Sequence, residues 1–322
     1  MNWESLKARF KGAGPARSMG FVLPAVALEI QPDFVAGAHL DGSSREVRRL
    51  SVRQLEAGTL EPGAGRANIT NEAALREAVS DVAEVVGNGG GRLGLLVPDG
   101  VTRVGLLSFE TLPESHAEAE ALVRWKMRDL LPFGPDEARV SFQVLRREGK
   151  AVELLAVAAR NAVLAEYEGI LEAVDGGPAL ILPATLALLP LLPEDPGACQ
   201  LLIHVCSGSI TSVVVLGQRV VFWRSRPGAR PAPEELAAEV GREAARVKAT
   251  SRDHQGMEIS AAWLCARPGA PEGLSEGLAR TLEMQVPLLT GTRQCAPQLP
   301  PAEHEWFERV GAPFAGLVAN AG

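Results

Sequence analysis

Four cysteines, five histidines and a run of glycines are the residues through which this chain could do chemistry, and their spacing argues against most of it. Cys199, Cys206, Cys265 and Cys295 form no C-x-x-C pair, and His39, His116, His204, His254 and His304 never fall four apart on a helix. Metal sites need clustered ligands, so neither a metal centre nor a disulfide framework is expected. Free buried thiols are the simpler reading and suit a reducing, cytosolic compartment. The run Gly87-Asn88-Gly89-Gly90-Gly91 invites comparison with a phosphate cradle. A P-loop, however, needs a Lys and a Ser or Thr after the glycines, at the start of a helix. Here Arg92 opens an apolar strand, Leu93 to Val97, so the glycines read as a helix-to-strand loop.

The elements that must position any such residues are set by length and composition. The chain has 322 residues, enough for two lobes of about 150 each. Hydrophobic residues make up 46% and charged residues 22%, as in an ordinary soluble globule. The net charge of −7 disfavours nucleic acid as a partner, because phosphate binding needs a basic surface. Arg outnumbers Lys 27 to 5, and Tyr occurs once, a bias that fits a GC-rich bacterial genome. No apolar run reaches the roughly 18–20 residues of a membrane span. The longest, Ala179 to Leu192, is broken by Pro183 and Pro190. Lys7, Arg9 and Lys11 interrupt any signal-peptide core, so a cytoplasmic protein is expected.

Along the chain, Trp3, Leu6 and Phe10 share a face of a short N-terminal helix, read as a packed or frayed terminus. Phe21 to Ile30 reads as a strand, and Phe34 to Leu40 as its partner across Gln31-Pro32-Asp33. A further strand is expected near Val47 to Val52, and Asn71 caps a helix with Leu75, Val79, Val82 and Val86 on one face. Pro98-Asp99-Gly100 is predicted as a hairpin turn returning through Val101 to Phe109. Ser115 and Glu118 have capping-box spacing ahead of a helix with Ala119, Val123, Met127 and Leu130 on one face. A hairpin (Val140 to Arg147, Ala151 to Ala159), a helix capped by Asn161, a short strand at Leu180 to Leu182 and an apolar helix from Pro183 follow. The linker Pro193-Glu194-Asp195-Pro196-Gly197 is the best domain boundary. Beyond it, Leu201 to Val205, Thr211 to Leu216 and Arg219 to Arg224 read as strands, and Glu234 to Thr250 as a long helix. Strands at Ile259 to Cys265 and Val286 to Leu289 flank a helix at Gly273 to Glu283. The order is α/β in two lobes, residues 1–195 and 196–322, each opening on antiparallel strands.

This order resembles the PilM family of actin-like type IV pilus assembly proteins. The likeness is clearest at Leu112 to Leu145, at Ala156 to Leu192, at the helix Glu234 to Thr250 and at the closing Ala312-Pro313-Phe314-Ala315-Gly316-Leu317. It implies an actin-like (ribonuclease H-like) two-lobe fold, with an α+β subdomain inserted in the first lobe at about residues 93–160. Such a fold holds Mg-ATP between turns that present backbone N–H groups to phosphate. The family's first turn reads Asp-Ile-Gly; here it is Glu29-Ile30-Gln31-Pro32-Asp33, which loses the glycine and one N–H donor and adds a repelling charge. Ala36 stands about where the family has a lysine. In the second turn His204 replaces the metal-directed Asp and Cys206 the first glycine, ahead of Ser207-Gly208-Ser209. The adenosine-side Gly-Gly pair reads Arg267-Pro268-Gly269, with both family glycines lost. A residual, weak nucleotide contact is left to Glu29, Ser207, Gly208, Ser209, Glu239 and Arg242, and no catalytic or metal-binding residue is expected. ATP and magnesium are therefore not favoured as cofactors, since phosphoryl transfer depends on positioning and metal-held charge.

The resemblance also implies a partner. The family binds the cytoplasmic tail of PilN, a single-pass inner-membrane protein, beside the inserted subdomain, and so links it to the pilus motor. Leu106, Phe109, Leu112, Trp125, Leu130 and Phe133 are the candidates to line that groove here, Trp125 foremost. The expected function is a non-catalytic cytoplasmic adaptor, peripheral at the inner membrane through its partner. The alternatives are an active actin-like ATPase and the cytoplasmic part of a GspL-like type II secretion component.

Overall fold

The computed structural model describes residues 22–87, 93–174, 177–207, 209–226, 233–296 and 299–320. The expected N-terminal helix, the glycines at 89–91 and Gly208 lie outside them. The first lobe opens with β1 (Val26–Ile30), β2 (Phe34–Asp41) and β3 (Glu46–Gln54), then α1 (Glu72–Val86) and β4 (Leu93–Val97). An inserted unit follows: β5 (Thr102–Phe109), α2 (His116–Met127), β6 (Ala138–Glu148) and β7 (Ala151–Arg160). The chain then returns through α3 (Asn161–Leu171), β8 (Pro178–Pro183) and α4 (Ala184–Leu188). The second lobe holds β9 (Cys199–Cys206), β10 (Ser209–Leu216), β11 (Arg219–Arg226), α5 (Pro233–Gln255), β12 (Ala261–Arg267) and α6 (Leu274–Leu282). Two helices close the chain, α7 (Pro301–Val310) and α8 (Ala312–Ala319).

Among the described residues the strands form three sheets, ordered β3-β2-β1-β4-β8, β11-β10-β9-β12 and β5-β7-β6. In each lobe sheet an antiparallel ribbon leads into parallel neighbours: β4 beside β1 in the first, β12 beside β9 in the second. The central strands β1, β4 and β9 are buried at every position, which explains their mainly apolar sequences and makes Glu29, Gln200 and His204 stand out within them. One face of the first sheet is covered by α1 and α3, where Leu75, Val79 and Val82 meet Tyr167 and Ile170. Asn71 caps α1 as expected, its Oδ1 accepting the Ala74 N–H at 3.2 Å.

The opposite face decides the path of the chain's last helices. Phe307, Val310, Phe314, Leu317 and Val318 pack on Phe34, Ala36, Leu50 and Leu96, so α7 and α8 belong to the first lobe's core. The linear division at residue 196 does not anticipate this return, which occurs because a sheet with two apolar faces needs cover on both. The return is close: a Cβ on Gly316 would sit 1.7 Å from the Ala187 carbonyl oxygen, so only glycine lets α8 lie on α4.

Five local expectations are corrected. Pro98-Asp99-Gly100 does not join a hairpin, because β4 pairs with β1 and β8 while β5 pairs with β7. One 3-10 turn, Asp99–Val101, instead carries the chain from one sheet to another. The separate sheet thus begins at Thr102, and β4, placed in the insertion by the 93–160 span, is a central strand of the first lobe. Ser115 precedes α2 without a side-chain capping bond, and Asn161 is the first residue of α3 rather than its cap. Val286 to Leu289 contributes only a single bridge, Leu288 to Leu264.

Candidate functional site

The C-terminal ends of β1, β4, β9 and β12 meet at the junction of the lobes, the usual place for a site in an open α/β sheet. Pairing aligns the second lobe's contributors in two rows: His204 is opposite Thr211 on β10 and Cys265 on β12, and Cys206 is opposite Arg267. The first lobe supplies Glu29 near the end of β1, Asp99 just after β4 and Thr185 in the first turn of α4. All of these are buried.

They form one network. Arg267 Nη1 donates to Glu29 Oε2 at 2.6 Å, and Gln31 Nε2 donates to the other Glu29 oxygen at 2.8 Å. Arg267 Nε and Nη2 both reach His204 Nε2 at 3.1 Å. A guanidinium can only donate, so His204 Nε2 is an acceptor and the ring proton sits on Nδ1. Nδ1 faces Thr185 Oγ1 at 2.6 Å and Asp99 Oδ2 at 3.3 Å. Thr185 also donates its hydroxyl to Asp99 Oδ2 and its backbone N–H to Asp99 Oδ1 at 3.1 Å, while Thr211 Oγ1 donates to Oδ2 at 2.7 Å. Every functional atom of both carboxylates is therefore held from inside the protein.

The electrostatics follow from enclosure. Burial lowers the His204 pKa below its ordinary value, against the hydrogen bond to Asp99, and the Arg267 charge lowers it further. Burial alone would raise Asp99, but hydrogen bonds from His204 and Thr185 outweigh it and hold the carboxyl below its ordinary range. Burial pushes Cys206 up and Cys265 up to about 12, so both remain neutral thiols without nucleophilic character.

Beside the network the two expected phosphate turns contact each other. The Ser207 hydroxyl donates to the Asp33 carboxylate, and Ser209 Oγ donates back to the Cys206 carbonyl at 2.8 Å. Ser207 takes a positive φ of 48°, in the left-handed region. Between the turns lies a pocket of about 60 Å³ lined by Gln31, Pro32, Pro62, Pro98, Cys206 and Ser207 among others. It has room for a few waters, against the several hundred Å³ of an ordinary ligand pocket.

The structure thus brings Glu29, Ser207 and Ser209 to one place, but each already has an internal partner. Glu239 lies on α5, 3.7 Å from Arg226, which also pairs with the buried Glu243 at 3.3 Å. Arg242 is exposed on the same helix. Asp99, Thr185, Thr211 and Arg267 were not singled out as site residues from the sequence. The usable signal was position: Asp99 follows the apolar parallel strand β4 by two residues, and Arg267 ends β12.

On the inserted unit, Trp125, Leu130 and Leu106 are 55%, 47% and 37% exposed. Phe109, Leu112 and Phe133 pack partly into the unit's own core around Val123, Met127 and Leu154. Leu130 lies over Gly105, whose Cβ would meet its side chain at 3.0 Å, whereas Leu106 pairs with Leu155 and points to the opposite face of the sheet. The Arg128 guanidinium covers the Trp125 ring at 3.7 Å.

Two α/β lobes that each open on an antiparallel ribbon, meet at their strand ends and carry an insertion in the first define an actin-like fold. The structure of a PilM–PilN type IV pilus biogenesis complex matches with a TM-score of 0.73 at 20% identity, over 92% of this chain and 97% of that one. A Bacteroides thetaiotaomicron protein with an actin-like ATPase fold and unknown function matches at 0.52 and 8% identity, over 85% and 93%. The cytoplasmic domain of EpsL, an inner-membrane component of the Vibrio cholerae type II secretion system, gives 0.47 and 13%, over 92% and 93%. No family model and no curated protein matches the sequence.

The fold raises the question of Mg-ATP, and the residues here do not fit it. Glu29 and Asp99, the carboxylates at the strand ends, are engaged by Arg267, His204 and two threonines. Gln31 and Pro32 stand where backbone must approach phosphate, and both line the small pocket between the turns. Among the described residues no group of His, Cys, Asp and Glu is placed to hold a metal ion.

Proposed function

We propose that this chain is a non-catalytic cytoplasmic adaptor of type IV pilus assembly, binding the cytoplasmic tail of a PilN-like inner-membrane protein and linking it to the pilus motor. One contrast carries the reading: the strand-end carboxylates are saturated from within, while the inserted unit, residues 102–160, leaves Trp125 and Leu130 exposed on and just after α2. The match to a PilM–PilN complex over 92% of this chain supports the same partner class. Among the described residues no helix is long and apolar enough to cross a membrane, so attachment at the inner membrane would come through the partner.

An apolar tail segment would lie against Leu130, with Trp125 as its anchor. β5 is an edge strand of its sheet, which suits backbone pairing with an extended peptide. The test is calorimetric titration of the protein with a synthetic N-terminal tail of a PilN-like protein and, separately, with Mg-ATP. Saturable heat from the tail that is lost in Trp125→Ala, with none from Mg-ATP, is the expected outcome. Absence of tail binding, or turnover of ATP, would overturn the assignment.

A further inference from the structure

Arg267 and Glu29 belong to different lobes, yet their side chains are 1% and 0% exposed and meet at 2.6 Å. Three links of the network cross the junction, beside the Ser207 contact to Asp33: Arg267 to Glu29, His204 to Asp99 and Thr185, and Thr211 to Asp99. The network carries two carboxylates and one cation. Glu29 takes the cation, and Asp99 is satisfied by neutral donors: the Thr185 N–H and hydroxyl, the Thr211 hydroxyl and the His204 ring N–H. An enclosed carboxylate with neither cation nor donors would be prohibitively costly, and here both carboxylates are satisfied without a ligand.

We infer that Arg267 is an internal cation doing the work that a metal-bound nucleotide would do in an actin-like cleft: it neutralises the strand-end carboxylate of the first lobe and ties that lobe to the second. Arginine suits the task, because its planar fork can bond Glu29 with one nitrogen and His204 with two others while keeping its charge. The lobes are thereby held in one closed relation without any ligand, and nucleotide has no lever on them. The subdomain inherits this rigidity, since Asp99 sits on the turn that leads into it and Thr102 bonds back to the Asp99 carbonyl at 3.2 Å. None of this depends on the adaptor reading, which tail titration tests separately.

The experiment measures the distance between the lobes. Spin labels at Glu84→Cys and Ala245→Cys report it; both positions are exposed, on α1 and α5, and the four native cysteines are buried. The parent should give one narrow distribution, unchanged by millimolar Mg-ATP. The paired replacement Glu29→Met with Arg267→Met removes both charges at similar volume and should broaden the distribution about twofold. A double variant as narrow as the parent would overturn the inference, and so would a parent whose distribution moves on adding Mg-ATP. Should the double variant not fold, the Mg-ATP arm on the parent decides alone.

Discussion

Arg267 Nη1 lies 2.6 Å from Glu29 Oε2, although 238 positions separate the two residues and each side chain is sealed from solvent. The pair joins the last strand of the second lobe to the first strand of the first lobe. Breaking it from one side strands a buried charge, so Arg267→Ala should lower the unfolding free energy by about 3–5 kcal/mol. Glu29→Met with Arg267→Met should recover most of that loss. Urea denaturation of the three proteins measures both; a single variant within about 1 kcal/mol of the parent would mean water reaches the pair.

His204 gives stability a pH dependence whose sign is fixed by its burial. The unfolded chain takes up a proton at this residue below about 6.5, its ordinary value, whereas the folded protein, with a lowered pKa, does not. The unfolded state therefore binds more protons, and stability falls as pH drops below about 6.5, by up to about 1.4 kcal/mol per pH unit, until the folded-state pKa is reached. Asp99 adds a second loss at lower pH, as it protonates below its ordinary 3.8. His204→Gln, whose amide can accept from Arg267 and donate towards Thr185, should remove the dependence near pH 6 while leaving the acid limb. Denaturation midpoints from about pH 2 to 8 would reveal it, and identical profiles for parent and variant would rule out a neutral buried imidazole.

Trp125 is exposed, so its removal should separate binding from folding. Trp125→Ala should change stability by less than about 1 kcal/mol, as for other surface substitutions. Binding of a PilN-like tail should weaken by about 30-fold or more, the scale of an aromatic hot spot of about 2 kcal/mol. A large loss of stability with unchanged affinity would instead make the ring part of the subdomain's own packing.

Gly316 tests the contact between the last helix and α4. A methyl group there would overlap the Ala187 carbonyl, and backbone cannot swing aside as a side chain can. Gly316→Ala should cost about 2–3 kcal/mol through overpacking, despite alanine's better helix propensity. The thermal midpoint reads this directly, and a rise would show that α8 is free to move off.

Much of the fold was legible because it follows from local pattern. The largely apolar runs of β1, β4 and β9 marked strands, and Asn71 marked the start of α1. Trp125 stood out because Trp is enriched at binding hot spots, and the structure leaves its ring exposed. The hairpin expected at Pro98-Asp99-Gly100 was misread because turn chemistry says where a chain bends but not which strand it will pair with next.

The sequence by itself determined the alternation of elements, the two-lobe plan and the absence of the glycines that bring backbone against phosphate. Those are properties of spacing and residue type, and they act over a few residues at a time. Only the tertiary structure decided that Arg267 fills the cleft, that Asp99 gathers Thr185, Thr211 and His204, and that α7 and α8 return to the first lobe. Each of these joins residues far apart in the chain, through enclosure and hydrogen-bond geometry. Such partners are selected by which buried groups must be satisfied once the lobes close, and no local pattern carries that information.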